Sequence, residues 1–168
     1  MKYTLSILVE NQPGVLSKVS ALFSRRGFNI ESLAVGITEN HAISRITIVV
    51  DGDEHIVEQV EKQLNKLIAV IKVKNLTAAG DYISCILMLI KVGCTAKQRP
   101  EVLKIAEQMQ ARIADVAEQT LTLQYAGAME DVETLTALLK PYGVKELVRT
   151  GAVAMERGAA TASVSHTN

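Results

Sequence analysis

Polar and apolar positions along the chain switch between two periods, and the order of the switches repeats once. Tyr3, Leu5, Ile7 and Val9 alternate with Lys2, Thr4 and Ser6, the period of two expected of a half-buried strand. After Pro13 and Gly14 the spacing changes. Leu16, Val19, Leu22 and Phe23 recur at helical intervals, and Arg25, Arg26 and Gly27 close the segment with positive charge and a glycine, both favoured at a helix C-terminus. Residues 28–38 and 42–50 predict two strands joined by a turn at Glu39, Asn40 and His41. Val57, Val60, Leu64 and Leu67 predict a second helix, and residues 69–75 a last strand. The resulting order, βαββαβ, is that of a split-βαβ, ferredoxin-like domain.

Residues 77–81 break the periodicity and predict a linker. The rhythm then resumes with a strand over 82–92, a helix after Pro100 marked by Val102, Ile105, Ala106 and Met109, and strands over 112–118 and 120–125. Val132, Leu135, Leu138 and Leu139 mark another helix, stopped by Pro141, and residues 144–155 predict a long strand interrupted at Gly151. The chain thus predicts an α+β protein of two consecutive ferredoxin-like βαββαβ domains, 1–76 and 82–158. The two halves share order and length but little identity. From 159 to 168 the composition is small and polar, and a disordered tail is expected.

Two expectations about the first half concern its surfaces. Both helices of a split βαβ pack on one sheet face. The residues that should point to the other face (Thr4, Ser6, Arg45, Thr47, Lys72 and Lys74) are polar, so that face is expected to stay wet. The second strand lies at an edge in this topology, and here it is apolar (Ile30, Leu33, Ala34, Val35, Ile37), with no proline or lysine to discourage pairing. Side-by-side joining with a second copy is the expected outcome.

Charge and composition remove several function classes. The 168 residues carry 18 basic and 18 acidic side chains. A neutral chain has no footprint for a phosphate backbone, which argues against nucleic-acid binding. The longest apolar run, residues 85–90, is too short to span a bilayer, and the N-terminus lacks a secretory apolar stretch. Cys85 and Cys94, placed along one strand, would lie roughly 30 Å apart, beyond disulfide reach. Unpaired thiols fit a reducing compartment, and the cytoplasm is expected.

No catalytic constellation emerges. His41, His55 and His166 fall in a turn, near a helix start and in the tail, without metal-ligand spacing. Neither a GxGxxG nor a GxxxxGK[ST] phosphate loop is present. The segment Val9-Glu10-Asn11-Gln12-Pro13-Gly14-Val15-Leu16 is different, because it places a strand end, a short loop and a helix N-terminus together. Free N–H groups at a helix start, here expected from Val15 and Leu16, can hold a carboxylate. Gly14 allows close approach to the backbone, and the Asn11 amide offers both a donor and an acceptor. The same residues also read as a plain helix start with Pro13 in its first turn, and both readings stand at this point.

Those residues, followed by Phe28-Asn29-Ile30-Glu31-Ser32-Leu33, resemble the ACT domain, and more narrowly the small regulatory subunits of acetohydroxyacid (acetolactate) synthases. Three segments carry the resemblance: residues 10–16, residues 26–33 beginning Arg26-Gly27-Phe28, and Val60-Glu61-Lys62-Gln63-Leu64-Asn65-Lys66-Leu67. Residues 87–92 resemble the family's second domain. The resemblance implies that residues 1–76 form an ACT domain that pairs into a homodimer and binds valine as feedback inhibitor in the interface. Asn11, Gly14, Val15 and Leu16 would form one side of that site, and Asn29 and Ile30 the other. It implies no cofactor on this chain: thiamine diphosphate, magnesium and FAD would belong to a separate catalytic large subunit, which this chain would stimulate. An amino-acid-sensing ACT regulator of a different enzyme is the alternative. A split-βαβ nucleic-acid module would need exposed aromatics on the sheet face and a basic surface, and the sequence offers neither.

Overall fold

The alternating stretch at the N-terminus becomes the central strand of a four-stranded antiparallel sheet. In this computed structural model, which describes residues 1–162, the first elements are β1 (Lys2–Glu10), α1 (Val15–Arg26), β2 (Ile30–Ile37), β3 (Ile43–Asp51), α2 (Glu54–Leu64) and β4 (Val70–Asn75). The sheet order is β2-β3-β1-β4, the split-βαβ arrangement expected. Leu5 and Ile7 of β1 and Ile46 and Ile48 of β3 pack beneath Val19 and Phe23 of α1 and Val57, Val60 and Leu64 of α2. Phe23 also meets Phe28 edge to face, with centroids 6.3 Å apart. The helix ends follow from single residues. Gly27 takes φ 68° and returns its N–H to Phe23 and Ser24, while the Asp53 carboxylate caps α2 through the Ile56 N–H at 2.8 Å.

The chain divides into two compact units, one made of Met1–Ile83 with the chain from Gly151 onward, the other of Ser84–Thr150. The second unit repeats the plan. Strand β5 (Tyr82–Gly93) begins in the first unit and runs into the second, followed by α4 (Arg99–Gln108), β6 (Arg112–Val116), β7 (Thr120–Gly127), α5 (Met129–Leu139) and β8 (Val144–Arg149) in the order β6-β7-β5-β8. Its core joins Met88, Ile90, Val92, Leu121 and Leu123 to Val102, Leu135 and Leu139.

Three sequence expectations are corrected here. The first is the linker. Leu76–Ala79 forms a helical turn, α3, whose start is capped by the Asn75 side chain, and Leu76 is buried. The second is the long final strand. It breaks after Arg149, and Val153–Glu156 forms a separate strand, β9, on the first unit, pairing with β5. The expected tail lies largely outside the described residues, and 159–162 has no helix or strand.

The third correction is the wet sheet face. Thr4, Ser6 and Thr47 are at most 6% exposed, and α3 and β9 pack on β1 while Tyr82 meets Thr4. Some of the polar groups bond to this covering, whereas the Ser6 hydroxyl is buried without a hydrogen-bond partner. The Thr4 N–H donates to Thr77 Oγ1 at 2.9 Å, the Thr4 hydroxyl meets the Tyr82 hydroxyl at 3.3 Å, and Lys74 pairs with Glu156. Where the chain returns, the Ala152 N–H donates to Ser32 Oγ at 2.8 Å, and Gly151 passes so close to β2 that a Cβ there would sit 2.2 Å from the Leu33 carbonyl oxygen. The polar pattern marks a face paired with a returning strap rather than with water. Lys72 alone of the six remains exposed. By contrast, β2 is the edge strand expected, with Leu33, Val35 and Ile37 exposed beside α1 and α2's face of the sheet.

Candidate effector site

Backbone bonds fix the loop at the end of β1. The Glu10 N–H donates to Ala69 O at 2.9 Å, the Asn11 N–H to Ala42 O at 2.8 Å, and the Gln12 N–H back to Glu10 O at 2.9 Å. The Asn11 side chain strengthens this tie. Its Nδ2 donates to His41 O at 2.8 Å, and its Oδ1 accepts from the Ser44 hydroxyl at 3.1 Å. The amide therefore first joins the loop to the β2–β3 turn, and one N–H and one lone pair remain for a ligand. The motif residue is structural before it is anything else.

Gly14 is the cap residue of α1, at φ 83°, a left-handed conformation that favours glycine. Nothing lies within 4 Å of the position a Cβ would take, so the space above the helix start is open. No side chain caps α1 and no acidic residue sits in its first turn, which leaves its positive end uncompensated. The Val15 N–H reaches Gln12 O at a long 3.4 Å, so the free donors are those of Leu16 and Ser17. The sequence reading placed them one residue too early. It took Pro13 into the helix, whereas Gly14 forms the cap and pushes the open N–H groups one residue along. Ser17 was missed for that reason. The Val15 side chain is buried and that of Leu16 is exposed.

Asn29 and Ile30 open β2 at the other end of the sheet. Ile30 aligns with Val50, whereas the loop end of β1, Glu10, aligns with Ile43. Those β3 positions are seven residues apart, roughly 23 Å at about 3.3 Å per residue. Within one chain the two expected sides of the site are therefore not brought together.

The side chains considered for chemistry are dispersed. His41 lies exposed in the turn, His55 sits on α2 against Gln59, and His166 falls outside the described residues. Cys85 is half-buried, Cys94 is buried, and both are free thiols. No cluster of His, Cys, Asp and Glu with metal-holding geometry occurs among the described residues, and no helix among them is long and apolar enough to cross a membrane. The perturbed acids lie away from the loop. The N-terminal ammonium lowers the Asp51 pKa, burial raises that of Tyr125, and a hydrogen bond to Glu101 raises that of Tyr142.

Both units match known family models. Residues 5–72 match an AHAS small subunit-like ACT domain, and residues 86–158 match the small subunit of acetolactate synthase. The chain belongs to the acetolactate synthase small-subunit family. Among curated relatives of this family, a probable acetolactate synthase small subunit from Archaeoglobus fulgidus is 49% identical over 158 residues, covering 94% of this chain and 98% of that one. The acetolactate synthase small subunit of Mycobacterium leprae is 50% identical over 156 residues, covering 93% and 92%. A crystal structure of the acetolactate synthase small subunit from Thermotoga maritima superimposes with a TM-score of 0.87 at 38% identity, covering 95% of this chain and 99% of that one. In family terms, loop 11–16 and the start of β2 both fall inside the ACT match, whereas β9, which packs on the first unit, falls inside the match to the second domain.

Proposed function

We propose that this chain is a regulatory subunit of acetolactate synthase that binds valine between two copies of its ACT domain and transmits feedback inhibition to a separate catalytic large subunit. The strand register carries this reading. Edge strand β2 can pair antiparallel with its own copy about a two-fold axis, which sets the start of one β2 beside the end of the other. The partner subunit's Asn29 then stands at the Ile37 end of the sheet, where loop 11–16 also lies. A gap of roughly 23 Å within one chain closes between two. The Leu16 and Ser17 N–H groups would hold the valine carboxylate, amide oxygens of Asn11 and the partner subunit's Asn29 would accept from its ammonium, and Ile30 would meet its side chain. Each homodimer would hold two such sites.

In this reading the chain also stimulates its catalytic partner in the cytoplasm, where Cys85 and Cys94 stay reduced. Thiamine diphosphate, magnesium and FAD belong to that partner, which carries out the chemistry. Mixing chains tests the shared site. Asn29→Ala removes a hydrogen bond to a charged group, worth about 1.5–3 kcal/mol, or about ten- to hundred-fold in affinity. Gly14→Asp blocks the loop side. Heterodimers of the two variants, purified through two affinity tags, should recover one intact site of two by isothermal titration with valine. A stoichiometry near zero would refute the composite site.

A further inference from the structure

We infer that the groove between α1 and α2 is the surface on which an acidic, amphipathic segment of the catalytic subunit docks. This rests on the regulatory-subunit reading above and names the half of the chain that makes the contact. The groove holds about 390 Å³ between Leu22, Arg25 and Arg26 at the end of α1 and Gln63, Lys66 and Leu67 at the end of α2. Through Lys66 and Leu67 it continues into a neighbouring apolar hollow of about 260 Å³, bordered by Lys18, Val19 and Ile68. The chain as a whole is neutral, with 18 charges of each sign, yet here the positive charge is uncompensated. None of Lys18, Arg25, Arg26 or Lys66 forms an ion pair among the described residues. Lys62, one turn back on α2, is instead held by Glu58 at 3.1 Å.

Arginines at the end of a helix also complement its dipole, and Arg25 and Arg26 do so here. That role does not account for Lys18 or Lys66, nor for Ile68, which borders the same hollow as both lysines and is 98% exposed. An apolar floor framed by unpaired cations, with a protruding isoleucine, is the anatomy of a contact surface whose counterpart carries carboxylates around apolar anchors. Helix α1 joins this surface to the effector loop: its first turn carries the open N–H groups and its last turn the arginines.

The test uses the full-length chain and the purified catalytic subunit of the same enzyme. A triple variant, Arg25→Ala, Arg26→Ala and Lys66→Ala, removes three charges from the groove. A control, Lys97→Ala, Lys104→Ala and Lys145→Ala, removes three from exposed positions of the second unit. Melting midpoints and valine titration on the free chains establish that both variants are folded. The groove variant should bind the catalytic subunit about ten-fold or more weakly at 0.1 M salt, with a shallower salt dependence, and the control should bind as the unaltered chain does. Equal binding by the groove variant, or a loss confined to the control, overturns the assignment. So does a groove that binds inorganic phosphate while its neutralisation leaves docking intact. If the unaltered chain itself fails to bind the catalytic subunit, the regulatory-subunit reading falls first.

Discussion

Two substitutions at Gly14 separate backbone strain from ligand repulsion. The residue sits at φ 83°, so any L side chain there costs roughly 1–2 kcal/mol in backbone strain. Sterically the site is permissive, since no heavy atom lies within 4 Å of the built Cβ. Gly14→Ala should therefore lower stability by that strain alone and leave room for a small ligand. Gly14→Asp adds a carboxylate to the space where the effector carboxylate is expected. Two unit charges 4 Å apart at an effective dielectric of 20 repel by about 4 kcal/mol. The site is open to water, and screening reduces this to roughly 1.5–3 kcal/mol, or about ten- to hundred-fold in affinity. The Asp side chain also competes for the Leu16 and Ser17 N–H groups. Isothermal titration of valine should show near-normal affinity for the alanine variant and a large loss for the aspartate variant, with both melting at similar temperatures. If the two lose affinity equally, strain rather than charge explains the loss. If the aspartate variant binds as the unaltered chain does, the ligand does not sit over this helix start.

Further outcomes can be checked singly. Gly151→Ala should destabilise by about 1–3 kcal/mol, because its methyl would overlap the Leu33 carbonyl at 2.2 Å, and chemical denaturation would measure the loss. Asp53→Ala removes the cap on the Ile56 N–H and should cost about 1 kcal/mol, lowering the melting midpoint by about 2–4 °C. Tyr142 donates to Glu101 at 2.9 Å, which raises its pKa above the usual 10.0. A raised pKa gives stability that is complete below the unfolded value and lost as the pH climbs through the folded one. Thermal melts between pH 9 and 11.5 should therefore fall less steeply for Tyr142→Phe than for the unaltered chain.

What could be read from the sequence was whatever a local pattern determines. Period-two and helical spacing located each long element, because alternate residues of β1 and β3 face one core and the stripes of α1 and α2 face it too. The edge position of β2 followed from topology. The site loop could be found because proline, glycine and a helix start leave a local signature. Its detail could not: which N–H groups stay free depends on Gly14 taking a left-handed φ, and φ is not written in residue order. The covered sheet face was misread for a non-local reason. Thr4 and Lys74 meet partners 73 to 82 residues away, among them Thr77 and Glu156, and a polar side chain looks the same whether water or a distant strand covers it. Gly151 was visible as an interruption. Its cause, the close passage over Leu33, was not.

The strap and the edge strand bear on assembly in opposite ways. The strap covers most of the polar sheet face with the chain's own residues, so that face offers little to a second copy. Strand β2 keeps its outer edge, and Leu33, Val35 and Ile37 remain exposed next to it. Past the irregularity at Glu31, the apolar edge from Ser32 to Ile37 has no proline or lysine to block it, which favours pairing. Antiparallel pairing of β2 with its own copy would set the Ile30 end of one strand toward the Ile37 end of the other, since these residues align with opposite ends of β3. An effector bound at that junction would touch the loop of one chain and the strand start of the other, and so would bind the paired form better than separated chains. By linkage such a ligand strengthens the pairing as much as the pairing strengthens its binding. Sensing and assembly would then be one equilibrium, read out through α1, which begins at the site and ends in the basic groove.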